Sequence, residues 1–174
     1  MLGFMFRFHM MWKSLYNTIA LPALFVGFHA AAKFNTKVRE GIAGRRDVLV
    51  TLECQLEAAR KLDQTAWFHF TSVGEFEQAK PLIEEIGDEV RIVLTYFSPS
   101  VHANVAKYAH CDAAAYLPLD THRNAQALVE IIKPTLLIFS KSDIWPNLVW
   151  AASQHAVPVI LIAGTLHSKS RRLS

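Results

Sequence analysis

The sequence predicts an α/β fold in which a parallel β-sheet carries helices on both faces, with one apolar helix before it. From about residue 64, short and almost continuously apolar segments alternate with amphipathic ones. This pattern is typical of strands buried on both faces of a parallel sheet. The chain has 174 residues, 52% hydrophobic and 19% charged, which suits one domain with a short appendage and excludes a disordered polar chain. We therefore predict a Rossmann-like domain of five strands joined by right-handed crossovers.

After an initial helix, strands and helices are expected to alternate along the chain. Ser98 with Pro99 is typical of a helix N-terminus, and Asp120 or Thr121 is expected to cap the following helix. Pro81 interrupts another helical pattern and can kink that helix. The last strand is expected to be buried like the others. The predicted strands are 66–70, 90–97, 114–117, 135–139 and 157–162, and the predicted helices are 48–61, 75–86, 98–110, 121–132 and 146–155.

The N-terminal region contains an apolar stretch at 15–32, followed by a basic cluster at 33–46. The stretch is close to the ~20 apolar residues that a membrane-spanning helix needs. Lys and Arg beside such a helix favour anionic headgroups and the cytoplasmic side. We therefore predict a membrane-associating segment, 1–46, and a body, 47–174. A cleaved signal peptide ending near 29–32 and a helix packed on the core are the alternatives.

Charge and cysteine content exclude several classes of protein. Residues 1–46 carry seven basic and one acidic side chains, whereas residues 47–174 carry 11 and 14. The slightly acidic body argues against nucleic-acid binding. Two cysteines, Cys54 and Cys111, are too few for a disulfide framework or a four-cysteine zinc site. The eight histidines show no paired ligand spacing, so no metal site is expected.

Polar residues follow the first predicted strand, at the edge where parallel sheets bind ligands. Gly74 permits a positive φ or a close approach of the backbone to a ligand. Glu75 follows it and is expected to be exposed in the first turn of a helix, where the helix dipole favours a carboxylate. A helix cap with no other role is the alternative for Glu75 from spacing alone.

Two further loops have the same position relative to their strands. In the loop 139–147, polar residues follow a buried strand, and Ser142 or Asp143 is expected to cap the helix that begins at Pro146. The alternative to a ligand-binding loop is a capped helix start in which Trp145 only packs. The loop 164–172 combines hydroxyls with cations and suits an anionic ligand; its alternative is a solvated tail.

Together, these motifs resemble a known family. Ser72-Val73-Gly74-Glu75 and Trp145-Pro146-Asn147, at this separation and behind an apolar helix, resemble the bacterial 3-deoxy-D-manno-octulosonic acid (Kdo) transferases of lipopolysaccharide synthesis. The likeness runs from about residue 15 to residue 174. Weaker matches are Lys37-Val38-Arg39-Glu40-Gly41, Thr95 with Ser98-Pro99-Ser100, Tyr116-Leu117-Pro118 with Asp120, and Lys169-Ser170.

The resemblance implies a two-domain glycosyltransferase of the GT-B type, of which this chain is the N-terminal, acceptor-side domain. The donor, CMP-Kdo, is then held mostly by a C-terminal domain that is absent from this chain, so that the chain alone is expected to be inactive. The implied acceptor is the lipid A precursor on the cytoplasmic side of the inner membrane. The implied transfer inverts the anomeric centre and uses no metal or other cofactor.

The resemblance also implies roles for individual residues. Glu75 matches the family's general base, which takes the proton of the acceptor hydroxyl as that hydroxyl attacks the anomeric carbon. Lys141 stands where many members carry a glutamate linked to the reaction centre, and is a candidate contact for an anionic group of the donor. Asp143 is a shorter acid than the family's second glutamate. The implied substrate-binding residues are Ser72, Gly74, Lys37, Arg39, Asp143, Trp145, Asn147, Lys169 and Ser170.

Two other classes of protein remain open from the residues alone. One is a stand-alone Rossmann-like protein that binds a nucleotide or a sugar, and the other is a non-catalytic domain tethered to a membrane. A second α/β domain with a nucleotide-sugar site downstream of Ser174 would distinguish the transferase from both.

Overall fold

The computed structural model describes residues 10–141 and 144–163. Five parallel strands form one sheet in the order β3-β2-β1-β4-β5, and helices flank it, which confirms the predicted α/β fold. The strands are β1 (Thr65–Phe70), β2 (Arg91–Tyr96), β3 (Ala113–Tyr116), β4 (Leu136–Ser140) and β5 (Val159–Ile162). The helices are α1 (Met10–Ala32), α2 (Thr36–Ala43), α3 (Val48–Ala58), α4 (Val73–Ile86), α5 (Pro99–Val105), α6 (His122–Ile132) and α7 (Pro146–Gln154).

Large apolar side chains of the central strands fill the core. Trp67 and Phe70 of β1 and Phe139 of β4 are at most 1% exposed. Phe70 packs on Phe76 of α4 with 5.0 Å between the ring centroids. Helices α4 and α5 contact each other on one face, whereas α3, α6 and α7 form a contiguous layer on the other. Burying each such side chain contributes ~1.5–3 kcal/mol, so the sheet is the stable part of the molecule.

Several helix ends follow the sequence signals. The side chains of Ser98 and Thr121 cap α5 and α6 as predicted. Helix α4 continues through Pro81 to Ile86 without a break. The predicted helix 98–110 is too long, because α5 ends at Val105. After it, the amides of Lys107 and Tyr108 each donate to the carbonyl three residues back, which tightens the chain before it returns toward β3.

The prediction that the last strand is buried is wrong. Strand β5 lies at the edge of the sheet, where it pairs with β4. Val159, Ile160 and Leu161 are 39%, 46% and 43% exposed. Apolar sequence predicted the strand itself correctly, but an edge strand has a strand neighbour on one side only, and its burial depends on what packs over it.

Helix α1 lies against the body and is not part of its core. Only 6% of its most apolar window is buried, although the helix is long and apolar enough to cross a membrane, a test that core helices and signal sequences also pass. The Tyr16 ring meets Trp150 of α7 edge-on with 6.0 Å between centroids, and Phe28 meets Phe97 at 5.4 Å. The exposed apolar side chains of α1 are Met10, Met11, Trp12, Leu15, Ile19, Leu24, Phe25 and Val26.

Candidate active site

The loops that follow β1 and β4 meet at the point where the strand order reverses. In open α/β sheets, ligands bind outside the carboxyl ends of the strands at such a point. The two strands are neighbours in the sheet, and the Ser140 hydroxyl donates to the Glu75 carbonyl oxygen at 3.1 Å. The fold thus brings the Ser-Val-Gly-Glu motif next to the start of the second polar loop.

Glu75 is buried, not exposed as the sequence suggested, because the loop before it folds back over its side chain. The residue is 6% exposed. Its Oε2 accepts hydrogen bonds from the Thr71 amide at 2.7 Å and the Thr71 hydroxyl at 2.9 Å. No described residue donates a hydrogen bond to Oε1. Every buried polar side-chain atom in the described part of the chain has a partner, and therefore Oε1, which has none, reaches solvent. The carboxylate is therefore held by one oxygen and open at the other.

The residues before Glu75 shape the entrance to it. Ser72 is exposed and caps α4, since its hydroxyl accepts from the Glu75 amide at 3.4 Å. Gly74 does not have a positive φ, which corrects one of the two reasons offered for it. A Cβ at this position would meet no atom of the described residues within 4 Å. Open space at Gly74 leaves room for a ligand beside Glu75.

The second polar loop begins with a strained residue. Lys141 has a φ of +67° and an exposed side chain, and non-glycine residues in this region cost about 1 kcal/mol or more. Its amide donates to the Ile162 carbonyl at 2.8 Å, which fixes the start of the loop against β5. The predicted site residue Asp143 lies outside the described residues. The prediction that it or Ser142 caps the helix at Pro146 is wrong, because the N-cap residue is Trp145 and the amides of Asn147 and Leu148 donate to Asp120.

A chain of buried hydrogen bonds links β1 to Trp145. The Trp145 indole N–H donates to Nε2 of His69 at 3.0 Å. Because an indole N–H only donates, His69 carries its proton on Nδ1, which donates to the Thr95 hydroxyl at 3.1 Å. Trp67 donates to the same hydroxyl at 2.8 Å. Burial lowers the pKa of His69 to about 3, so the imidazole stays neutral.

Trp145 also begins a stack of aromatic and cationic groups. It stacks on Phe97 with 5.1 Å between ring centroids, and the Arg45 guanidinium lies 4.1 Å from the centre of the Phe97 ring. Arg45 donates to the carbonyls of Gly41, Phe97 and Leu117. Burial lowers its pKa to about 10, although the Tyr116 phenol acts in the opposite direction.

Asn147 lies in a buried network that joins α1 to α7. The Asp120 carboxylate accepts from the amides of Asn147 at 3.0 Å and Leu148 at 3.1 Å, and from the Tyr16 hydroxyl at 2.9 Å. Asp120 thus caps α7, although in the sequence it lies just before α6. The Asn147 side chain donates to Asn17 at 2.8 Å and to the Asp120 carbonyl. The structure therefore uses the amide of Asn147 inside the protein, between two helices.

The predicted binding residues Lys37 and Arg39 belong to α2, and the structure shows no contact between them and Glu75. Lys37 is exposed on α2 and lines a cavity beside α1. Arg39 is exposed and donates to the Thr36 hydroxyl at 3.3 Å. Lys169 and Ser170 fall outside the described residues. Among the residues that the structure does describe, no group of His, Cys, Asp and Glu side chains could hold a metal ion.

Sequence reasoning missed His69 and Arg45. A histidine inside an apolar strand, between Phe68 and Phe70, was a usable signal, because a buried imidazole needs hydrogen-bond partners. Arg45 belonged to a basic cluster that read as a membrane-facing surface. Its packing on Phe97 depends on residues 52 positions away, so no local pattern indicated it.

Comparison with known proteins accounts for these motifs. The family model of the 3-deoxy-D-manno-octulosonic-acid transferase (kdotransferase) matches residues 45–174. The 3-deoxy-D-manno-octulosonic acid transferase of Aquifex aeolicus is 34% identical over 107 residues, which are 61% of this chain and 30% of that protein. The enzyme of the same name from Haemophilus influenzae is 23% identical over 167 residues, 92% of this chain and 38% of its own.

The match from Chlamydophila psittaci, which has the same name, is 33% identical over 110 residues, 60% of this chain and 25% of that protein. The chain thus spans about a quarter to two fifths of the length of these relatives. Because the family model covers the sheet, both polar loops and the aromatic stack, the chain belongs to the 3-deoxy-D-manno-octulosonic-acid transferase family.

Proposed function

We propose that this domain takes part in the transfer of Kdo from CMP-Kdo to the lipid A precursor, with Glu75 as the general base. Family membership supports the reaction class, since the relatives are named as 3-deoxy-D-manno-octulosonic acid transferases. The observation that carries the assignment of the base is the environment of the two Glu75 carboxylate oxygens. One oxygen is fixed by Thr71 and the other reaches solvent at the strand-order reversal.

This arrangement suits proton abstraction. A general base must be held within hydrogen-bond reach of the hydroxyl that it activates. Two hydrogen bonds to Oε2 orient the carboxylate. We propose that an acceptor hydroxyl reaches Oε1 past Gly74, where a side chain would meet none of the described residues. In the proposed inverting step, the acceptor oxygen bonds to the anomeric carbon, CMP leaves from the opposite side, and the hydroxyl proton passes to Glu75. No metal has a role in this proposal.

The donor side is proposed to lie largely outside these residues. The relatives are longer than the part that matches this chain, and in the two-domain architecture implied by the resemblance a C-terminal domain binds CMP-Kdo. Lys141, exposed at the end of β4, is proposed to contact an anionic group of the donor. We expect residues 1–174 alone to show no transfer.

Helix α1 is proposed to hold the domain on the cytoplasmic face of the inner membrane. Its outward side is apolar, and Lys33, Lys37 and Arg39 follow it at the exposed surface. Because Tyr16 and Asn17 bond to Asp120 and Asn147, this proposal favours a helix that lies along the membrane surface with its outward face in the lipid.

The decisive experiment replaces Glu75 in the full-length protein. Glu75→Gln keeps an oxygen that accepts from Thr71 but removes the base, so turnover with CMP-Kdo and lipid A precursor should fall by ~10²–10⁴. Glu85→Gln, on the exposed side of the same helix, is the matched control and should leave turnover unchanged. If Glu75→Gln retains turnover within about threefold of the parent, far below a base's usual contribution, Glu75 only caps the helix.

A further inference from the structure

A cavity of about 450 Å³ lies between the α1–α2 hairpin and the loops that follow β2 and β3. This volume falls within the ~300–1,000 Å³ of typical small-molecule sites. Phe25 and Phe28 of α1 form one wall, and Val38 and Ile42 of α2 form a second. The loops contribute Phe97, Pro99, Pro118 and Leu119. The lining is mostly apolar, so the cavity suits a hydrocarbon group.

The charged side chains of the cavity have one sign. Lys37 and Arg45 line it together with His29, and none of the Asp and Glu residues that the structure describes does so. Three backbone carbonyls accept from Arg45, which leaves two of the five guanidinium N–H groups for another acceptor. An apolar cavity with cations only is complementary to an anionic amphiphile.

The cavity connects the two surfaces that the proposed reaction requires. On one side, the Ser98 amide in its lining donates to the Thr71 carbonyl at 3.2 Å, and Thr71 holds Glu75. On the other side, Phe25 belongs both to the cavity wall and to the exposed apolar face of α1. A chain that enters from a lipid surface past Phe25 therefore ends next to the loop of the candidate base.

We propose that this cavity binds one acyl chain of the lipid acceptor, with an anionic group of that lipid at Lys37 and Arg45. The choice of the acceptor over other lipids rests on the proposed function. Holding one chain would fix the distance between the membrane surface and the acceptor hydroxyl at Glu75. The hairpin α1–α2 is then a wall of the binding site as well as a membrane contact.

Binding of n-alkyl phosphates to residues 1–174 tests the cavity without any transfer reaction. Octyl, decyl and dodecyl phosphate are titrated below their critical micelle concentrations. Each added methylene should strengthen binding about three- to fourfold until the cavity is full, after which affinity should level off. Inorganic phosphate should bind far more weakly than decyl phosphate, and decyl trimethylammonium should not compete. Affinity that rises without a limit, or equal binding of the cationic amphiphile, overturns the proposal.

Substitutions locate the bound chain. Ile42→Trp fills the cavity and should weaken decyl phosphate binding at least tenfold, and Val38→Phe serves the same purpose if the first variant does not fold. Val26→Ser removes an apolar side chain that is 65% exposed on α1 and does not line the cavity, so it should leave binding unchanged. Folded variants of Ile42 or Val38 that bind like the parent would show that the ligand lies elsewhere.

A competition experiment identifies the lipid. Lipid A precursor in vesicles should displace decyl phosphate at a lower phosphate concentration than phosphatidylglycerol in matched vesicles. Equal displacement would make the cavity a general lipid site and overturn the assignment to the acceptor. None of these measurements involves CMP-Kdo, so a failure of the proposed transfer would not change their outcome.

Discussion

Apolar side chains in the sheet and in α1 have opposite surroundings. Trp67 and Phe139 of the sheet are at most 1% exposed, whereas Ile19 and Val26 of α1 are 61% and 65% exposed. Helices of the same chain cover the central strands, whereas α1 packs along α2 and meets the body at α7 and Phe97. An apolar sequence indicates that a segment is buried, but not whether protein or lipid buries it. We propose that lipid buries the exposed side of α1.

The largest expected difference between the two regions is in stability. Phe139→Ala leaves a cavity in the centre of the sheet and should lower the free energy of unfolding by about 3–5 kcal/mol. Val26→Ala, at an exposed position of α1, should change it by less than ~0.5 kcal/mol. Urea denaturation followed by circular dichroism measures both. Similar losses in the two variants would mean that α1 packs like a core helix.

The stability of the protein should depend on the protonation of Asp120, whose hydrogen bonds form the junction between α1 and the body. Burial raises the pKa of Asp120 to about 6, against the hydrogen bonds from Asn147, Tyr16 and Leu148 that act in the opposite direction. The folded state then binds a proton more tightly than the unfolded state does, so this group's contribution to stability is present at low pH and decreases as pH rises from about 4 to 6. The decrease amounts to roughly 2–3 kcal/mol. Asp120→Asn should abolish that decrease in urea unfolding measured at several pH values.

Asp112 provides a control of opposite sign. Burial alone would raise its pKa, but hydrogen bonds from Arg60 and the Ile92 amide outweigh burial and hold the pKa below its ordinary value. Its contribution is therefore present above the ordinary pKa of an aspartate and is lost as pH falls. Asp112→Asn should weaken the protein at pH 7 and leave the Asp120-dependent decrease intact. If Asp120→Asn and the parent have the same profile between pH 4 and 6, the junction is not the titrating group.

The sequence predicted the sheet better than it predicted the contacts between distant loops. Strand and helix periodicity is local, and so the five strands and the caps at Ser98 and Thr121 follow from it. The burial of Glu75 depends on how the Thr71 loop folds back, and the capping of α7 by Asp120 joins residues 27 positions apart. Motif resemblance pointed to Glu75 and Trp145 but not to His69. The place of His69 in an apolar strand indicated that it needs a partner, but not that the partner is Trp145, 76 positions away.

A smaller effect is expected at the bond between His69 and Trp145. His69→Gln can place an amide oxygen near the position of Nε2, whereas the shorter Asn side chain reaches only toward Thr95. His69→Asn should therefore leave the Trp145 indole N–H without its acceptor and lower stability by about 1–3 kcal/mol more than His69→Gln does. The indole ¹H–¹⁵N signal of Trp145, assigned with Trp145→Phe, should shift upfield in the Asn variant only. Equal shifts in both variants would mean that this bond does not hold the indole.

The smallest effect separates membrane contact from folding at one exposed residue. If the outward face of α1 lies in the lipid, Ile19→Ser should weaken binding to anionic vesicles about fivefold, which corresponds to partial burial of one side chain. The free energy of unfolding in solution should change by less than ~0.5 kcal/mol, since Ile19 is already exposed there. Val50 on α3 is 60% exposed and lies outside α1, so Val50→Ser should affect neither quantity. Vesicle co-sedimentation over a range of salt concentrations measures the first effect, and binding should weaken as salt rises because Lys and Arg near the surface contribute ~1 kcal/mol each. Equal vesicle binding by the Ile19 variant and the parent, or an equal loss for Val50→Ser, would show that the exposed apolar face of α1 is not the surface that contacts the membrane.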